Sequence, residues 1–403
     1  DRRADSEHGF DLERAVPVGR ATDGGCPAPG ARPVRAGSLY ASAPADARVG
    51  RLRYDRGLMS VRDVLIVGAG PSGLAAAIAC RHHGLDYVVL EQGALVDAIA
   101  RFPLNMVFFT TPELLEIGGV PLTTPYEKPT RAEALRYYRK VTDTFQLQVS
   151  LFEQVTAVER DGEGEAAVFA VTTRTRLGAV RVRQARAVVL AMGYYDRPNR
   201  LGVPGEDLPH VSHYYSEPHP YYRRRVVVVG GKNSACEAAL DLHRNGAHVT
   251  LVHRGETLGD SVKYWVRPDM ENRIKEGSVA AHFATTIAAI TDTHVVCETA
   301  GARHEIAADA VLLLTGYRAD PAFLRGAGVE LDPDTLIPRH DPATFETNVP
   351  NLFVAGGQLA GVRTGTIFIE NGRFHGEQIA KTLAERLGQR CEQLLLAIAG
   401  DAG

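Results

Sequence analysis

Three glycines and a carboxylate form the first group able to do chemistry. Gly68, Gly70 and Gly73 fall in the spacing Gly-x-Gly-x-x-Gly, with Ser72 inside the same turn, and Glu91 follows 18 residues after Gly73. The first glycine permits a tight turn, the second lets the backbone approach a pyrophosphate, and the third lets a helix pack closely on a strand. A helix N-terminus just beyond the turn attracts phosphate charge. A carboxylate at the end of the next strand accepts hydrogen bonds from a ribose 2′-OH. Particular elements must hold these groups. The apolar run 64–67 predicts a buried parallel strand, and the Ala-rich run 74–80 predicts a helix stopping at Gly84. Residues 87–90 predict a second strand that delivers Glu91 and its neighbour Gln92. Strand, turn, helix, strand and terminal acid in that order are far more specific than the glycines alone.

Residues 226–254, VVVVGGKNSACEAALDLHRNGAHVTLVHR, repeat this plan. Gly68 to Glu91 is 23 positions, and so is Gly230 to His253. Two βαβ units, each with a phosphate turn, imply two dinucleotide sites. The second turn reads Gly230-Gly231-Lys232-Asn233-Ser234-Ala235, with Lys232 where the close-approach glycine belongs. Either the nucleotide sits further off or the ammonium adds a phosphate contact. The strand ends differ in charge. An acid repels a 2′-phosphate, whereas His253-Arg254 attracts one, and Arg can contact it in bidentate fashion. The first site therefore suits an ADP-ribose with free hydroxyls and the second suits NADP(H). Lys263, Arg273 and Lys275 lie downstream as further positive charge. Cys236 falls in the first turn of the second helix, where the dipole lowers a thiol pKa. The stronger reading is a small apolar filler between helix and sheet.

Two nucleotide sites on one chain suit a flavin with a nicotinamide. Around them, residues 97–126 form a long, weakly periodic stretch holding Asn105 and several aromatics, which suits a ligand-lining loop or a surface meander. Thr130-Arg131-Ala132-Glu133 reads as a capping box opening a helix to about Phe145. Strand-like alternation fills 148–183, broken at Asp161-Gly162-Glu163-Gly164-Glu165, a hairpin tip. Runs at 187–191 and 311–314 predict buried strands, leading to Gly193 and to Gly316. A strand running into Gly356-Gly357-Gln358, the segment IFIENGRFHG at 367–376 and a final helix at 377–387 complete the pattern.

Composition narrows the function class. The chain has 403 residues, 45% hydrophobic and 23% charged, which suits a soluble protein of two or three domains. A net charge of −3 gives no electrostatic case for nucleic acid or an anionic membrane. No apolar run approaches the roughly 20 residues a spanning helix needs. The nearest two of the five cysteines are 54 positions apart, so there is neither a CxxC nor a zinc ligand cluster. Their odd number and wide scatter suit a reducing cytoplasm. Residues 1–58 hold ten Arg, no Lys, eight Gly and five Pro, without periodicity. That composition matches a disordered or non-native extension, and the folded part is expected to begin near Met59.

The strings GYYDRPN, VPGEDLPHVSHYY, VVVVGGKNSACEAAL, LVHRGE and IFIENGRFHG, spread over roughly 61–380, resemble the bacillithiol disulfide reductase family. Its broad relatives are the thioredoxin-reductase-like flavoproteins with two dinucleotide domains. The resemblance implies an α/β fold of two Rossmann-like three-layer domains, the NADPH domain (221–320) inserted into a discontinuous FAD domain (59–220 and 321–390), with a tail at 391–403. It implies FAD held by Gly68, Gly70, Ser72, Gly73, Glu91 and Gln92, with Asn105, Gly193, Gly357 and Gln358 near the flavin. NADPH falls to Gly230, Gly231, Lys232, Asn233, Ser234, Ala235, His253, Arg254 and Gly316. The implied activity is electron transfer from NADPH through FAD to a low-molecular-weight disulfide, first of all bacillithiol disulfide. A bacilliredoxin-type pathway and a homodimer follow from the same resemblance. The chain departs from thioredoxin reductases where their redox CxxC lies, since His213-Tyr214-Tyr215-Ser216 stands there. It also has Ser72 where many bacillithiol reductases carry Cys, which leaves Cys236 as the candidate thiol. A ferredoxin–NADP reductase without CxxC and a non-catalytic flavin-binding redox sensor are the alternatives.

Overall fold

The first strand, β1 (Arg62–Val67), has four consecutive residues, Val64 to Val67, at 4% exposure or less. An apolar strand buried on both faces must lie mid-sheet with cover above and below. A computed structural model describes residues 61–162, 164 and 167–400, with side chains through 388; Met59 and the segment 1–58 lie outside the described residues. Beyond β1 the chain enters α1 (Pro71–His82), where Pro71 at the first helical position presets the backbone. It leaves through Gly84 in the left-handed region, φ +71°, the stop expected from the sequence. Strand β2 (Tyr87–Leu90) pairs in parallel with β1.

The stretch 97–126 is less open than a loop, because two single-turn helices, α2 (Asp97–Ala100) and α3 (Pro112–Leu115), punctuate it. The capping box forms as expected at the head of α4 (Arg131–Thr144). Thr130 accepts from the Glu133 N–H, and the Glu133 carboxylate accepts from the Thr130 N–H. Strands β3 (Val149–Ser150), β4 (Glu153–Asp161), β5 (Val168–Thr175) and β6 (Val180–Leu190) follow. The tip between β4 and β5 falls at the expected turn, since Asp161 pairs with Val168.

Strand β6 serves two purposes. Its first half pairs antiparallel with β5, and its second half runs parallel between β1 and β15 (Leu352–Val354). The first sheet has the order β3-β2-β1-β6-β5-β4, with β15 on β6. A second sheet, β10-β9-β8-β14-β7, is parallel throughout. It comprises β7 (Val211–Ser212), β8 (Arg225–Val229), β9 (His248–Val252), β10 (Ala280–His282) and β14 (Ala310–Leu313). Helix α5 (Asn233–Arg244) joins β8 to β9, and α6 (Arg267–Lys275) follows β9. Its antiparallel partner sheet is β11 (Thr285–Ile290), β12 (His294–Thr299) and β13 (Ala302–Ala307). The two halves thus share one plan, a parallel sheet with an antiparallel appendage. Because β15 returns to the first sheet after the second is complete, the second domain is inserted in the first. The second sheet also takes its edge strand from residues 211–212, ahead of the boundary expected at 221, because Val211 pairs with Val311.

After α7 (Pro321–Gly326), β15 and the short α8 (Ile369–Gly372), the last described element is α9 (His375–Gly400), longer than the helix expected at 377–387. Helix α9 covers α1 on the side away from the sheet. The approach is so close that a Cβ on Gly376 would lie 2.4 Å from Ala76 Cα. That explains why Gly73 to Cys80 are all buried in a helix with little amphipathic pattern. Fully burying each Leu or Ile of this layer contributes roughly 1.5–3 kcal/mol. Among the described residues no helix is long and apolar enough to cross a membrane.

Candidate functional site

The first turn is shaped by what its glycines exclude. Gly68 has φ +104°, and a Cβ there would lie 2.5 Å from the Ala191 carbonyl oxygen. A Cβ on Gly73 would lie 1.9 Å from the Gly68 oxygen, so α1 can start this close to β1 only without a side chain. Gly70 differs, since a Cβ there would meet nothing within 4 Å. Open space at the helix N-terminus is what an approaching pyrophosphate requires.

Glu91 closes the site at the end of β2. It is 6% exposed, and its two oxygens accept from the Ala69 N–H at 2.7 Å and the Gly93 N–H at 2.8 Å. Burial raises its pKa, opposed by those two backbone donors. Two of the roughly four acceptor positions of a carboxylate are used, which leaves capacity for ribose hydroxyls. Gln92 turns away and donates to Asp196 at 2.7 Å.

The turn after β15 completes this side. A Cβ on Gly356 would lie 2.4 Å from Ser72 Oγ, and one on Gly357 would lie 2.7 Å from the Tyr194 ring. Gln358 is 1% exposed and donates through Nε2 to the Gly193 carbonyl at 2.8 Å. Its Oε1 is buried without a partner. An orphaned buried acceptor beside an open glycine turn fits a ligand that brings its own donor. Asn105 is exposed on the loop between α2 and α3.

The second turn follows the same rule with different contacts. Gly230 has φ +150°, and a Cβ there would lie 2.5 Å from the Leu314 oxygen and 2.8 Å from Ala235 Cβ. Ala235, in the place of a third glycine, is buried there. Lys232 caps α5 in extended backbone with its side chain exposed, Ser234 is exposed beside it, and Arg254 is exposed at the end of β9. His253 stands against Gly231, and its pKa is lowered by burial and by the charges of Arg254 and Lys232. The Asn233 side chain is taken up locally. It accepts from the Lys263 N–H at 2.9 Å and donates to the Ser261 carbonyl at 2.9 Å, so it anchors the 261–263 segment to the turn. Gly316, φ +87°, accepts from the Asn199 N–H where the chain recrosses between the domains. Arg273 is committed to Glu276 at 2.7 Å and Asp269 at 3.5 Å along α6.

The dipole effect expected at Cys236 is outweighed by burial. The side chain is 0% exposed, and desolvation pushes its thiol up to about 11. Cys80 and Cys297 are buried too, pushed up to about 12 and about 11. A thiolate is the nucleophilic form, so at neutral pH these three act as core residues.

Two groups of residues escaped the sequence reading. Tyr195, Tyr214 and Tyr317 meet where the chain passes between the two sheets, with centroids 4.5 Å (Tyr195–Tyr317), 5.3 Å (Tyr195–Tyr214) and 5.7 Å (Tyr214–Tyr317) apart. Arg101 lies over two of these rings and pairs with Asp97 and Asp196. Tyr214 belongs to the His213–Ser216 stretch that replaces a dithiol, and its hydroxyl donates to the Tyr195 carbonyl at 2.9 Å. Tyr195 and Tyr214 lie in strings already singled out, but the meeting of the three rings has no sequence signal. Glu237, in the second turn of α5, is the other. Burial pushes its carboxyl up to about 7 against the opposing charge of Lys263.

Comparisons with known proteins show the family. The pyridine nucleotide-disulphide oxidoreductase family pattern matches residues 65–356. Bacilliredoxin reductase Bdr of Bacillus subtilis (strain 168) is 41% identical over 324 residues, 80% of this chain and 97% of that protein. The structure of bacillithiol disulfide reductase Bdr from Bacillus cereus superposes with TM-score 0.79 at 42% identity, covering 81% of this chain and 100% of that one. The Staphylococcus aureus structure of the same name gives 0.76 at 37% identity, covering 81% and 99%. The expected cofactor pair, FAD with a pyridine nucleotide, is that of this family. With two glycine turns of opposite strand-end charge, each opening a helix, the chain is an enzyme that belongs to the bacillithiol disulfide reductase family of flavin-dependent pyridine nucleotide-disulphide oxidoreductases.

Proposed function

We propose that the protein reduces a low-molecular-weight disulfide, bacillithiol disulfide first among them, with electrons from NADPH. The observation that carries this reading is the contrast between Glu91 at the end of β2 and His253-Arg254 at the end of β9. The chemistry supplied by bound FAD and NADPH is hydride transfer from nicotinamide to flavin and two-electron reduction of the disulfide. Balanced, one NADPH, one proton and one disulfide give NADP⁺ and two thiols.

The residues of the chain bind and orient. Gly68, Gly70, Ser72 and Gly73 hold the FAD pyrophosphate at the N-terminus of α1, and Glu91 accepts from the ribose. Gln358 presents its buried Oε1 to the flavin side, with Gly193 and Gly357 shaping the wall and Asn105 and Gln92 at its margin. Gly230, Gly231, Lys232 and the backbone N–H groups of Asn233, Ser234 and Ala235 hold the NADPH pyrophosphate. Arg254 forks onto the 2′-phosphate and His253 donates to it, while Gly316 allows the close return of the chain. Ser72 cannot form a mixed disulfide, and Cys80, Cys236 and Cys297 carry buried, raised-pKa thiols. These groups leave the substrate disulfide to take electrons without a covalent intermediate on any of them.

In this reading the FAD domain spans 59–220 and 321–390 and the NADPH domain 221–320. The enzyme works in the cytoplasm as a homodimer, feeding reduced thiol to a bacilliredoxin-type pathway. An anaerobic acceptor screen tests it. The NADPH-reduced enzyme is mixed in stopped flow with bacillithiol disulfide, glutathione disulfide or ferredoxin. Reoxidation fastest with bacillithiol disulfide is the expected result. Preference for ferredoxin would make it a ferredoxin–NADP reductase, and bound FAD that NADPH fails to reduce would make it a sensor.

A further inference from the structure

The segment 367–376, IFIENGRFHG, is left without a role by the two phosphate turns, yet it joins three separate parts of the first domain. A Cβ on Gly372 would lie 2.9 Å from Ser72 Oγ and 3.2 Å from Gly356 Cα. Gly376 abuts Ala76 in α1. Arg373 donates to the carbonyls of Glu113 and Glu116 at 2.6 and 2.7 Å, tying down α3. At the centre, His375 Nδ1 accepts from the Gly356 N–H at 3.1 Å. The His375 ring is 8% exposed and stacks on Phe345, centroids 4.3 Å apart and tilted 25°. Gly356 opens the turn that carries Gly357 and the orphaned acceptor of Gln358.

We propose that His375 is a positioning residue for the FAD site: its unprotonated Nδ1 fixes Gly356, and through it the turn that presents Gln358 to the cofactor. An accepting Nδ1 requires the tautomer protonated on Nε2, since a doubly protonated ring has no acceptor. Burial, with the nearby His340 adding to it, pushes the imidazole down to about 4, which keeps it in the accepting form at neutral pH. Gly356 is buried beside Ser72, and among the described residues its N–H has His375 Nδ1 as acceptor. In the apoprotein a released turn can hydrate that N–H. Cofactor binding must reimpose the turn, so the loss falls on affinity. The inference rests on the placement of FAD in the first site.

Two variants separate the acceptor from the ring. His375→Asn keeps an acceptor oxygen close to the Nδ1 position and loses the stack, and His375→Phe keeps the stack on Phe345 and loses the acceptor. FAD is stripped from each full-length protein, its Kd is measured by quenching of flavin fluorescence, and the thermal midpoint of the apoprotein is recorded alongside. His375→Phe should raise the FAD Kd about tenfold or more, the effect of one unpaired buried donor, while His375→Asn stays within about threefold of wild type. Unchanged affinity in His375→Phe, equal losses in both variants, or a lower apo midpoint with no change in affinity would overturn the inference. If His375→Phe does not fold, His375→Gln and His375→Leu replace the pair and must show the same order. Gly70→Val reports on the underlying site. If it leaves FAD binding intact, the placement of FAD fails and this inference with it. If it abolishes binding while His375→Phe does not weaken it, only the role of His375 is lost.

Discussion

The imidazole of His253 lies so close to Gly231 that a Cβ there would come within 2.5 Å of three of its ring atoms. The contact brings the end of β9 onto the second phosphate turn and leaves no room for a side chain between them. Burial and the charges of Arg254 and Lys232 lower the His253 pKa, which leaves Arg254 as the strand-end cation of the proposed 2′-phosphate contact. A charge-assisted contact of about 1.5–3 kcal/mol corresponds to roughly ten- to a hundredfold in affinity. Arg254→Ala is therefore expected to raise the NADPH KM by about that factor and leave NADH nearly unchanged, read by steady-state kinetics with both nucleotides. Equal losses for the two nucleotides would remove Arg254 from the phosphate.

The open space at Gly70 gives a steric prediction. Gly70→Val fills the approach of the pyrophosphate, and the purified protein should be nearly colourless. Glu91→Ala should weaken FAD retention while leaving the fold intact, since within the protein its oxygens serve two backbone donors, Ala69 and Gly93. The ratio of flavin absorbance to protein absorbance checks both, and a fully yellow Gly70→Val protein would show that the flavin lies elsewhere.

Thiol chemistry gives a third. Cys80→Ala, Cys236→Ala and Cys297→Ala should each keep disulfide turnover within about twofold, because a thiol with a pKa near 11 or 12 is mostly protonated at pH 7. Cys236→Ala should cost roughly 1 kcal/mol of stability from the lost packing in the second core. Loss of turnover in any of the three, with flavin content unchanged, would put that thiol in the reaction.

Acid stability gives a fourth. Glu153, 2% exposed on β4, accepts from Arg183 Nε and Nη2 at 2.8 Å each, from Ser150 at 2.6 Å and from Thr173 at 2.7 Å. Burial raises its pKa, but these hydrogen bonds outweigh it and hold the carboxyl at about 2, below its ordinary 4.5. The unfolded chain takes up the proton first on acidification. The stabilisation is thus fully present above pH 4.5 and is lost as pH falls from 4.5 towards 2. Glu153→Gln should unfold at a lower temperature at pH 7, by roughly 3 kcal/mol of lost stability, and show a shallower decline through that acid window. Parallel thermal profiles of the two proteins would disprove the role.

The sequence by itself determined the two βαβ units, because each depends on local signals: an apolar strand, a glycine turn, a helix stop and a strand end. Tyr87–Leu90, the Thr130–Glu133 capping box and the tip after Asp161 formed where expected for the same reason. Strand-end charge was also legible, since β9 must carry His253-Arg254 to the turn it follows. Tertiary structure decided what depends on distant residues meeting. The two-residue strand β7 has too few positions to show a period and exists through its pairing with β14. Cys236 has a helix-dipole position in sequence, but its reactivity is set by burial, which is a sum over neighbours from several elements. The contact of His375 with Gly356 spans 19 residues and that of Arg101 with Asp196 spans 95, and neither separation follows from a helical or strand period. Local chemistry marked two turns suited to nucleotides, and long-range packing decided which side chains are fixed, neutral or reactive around them.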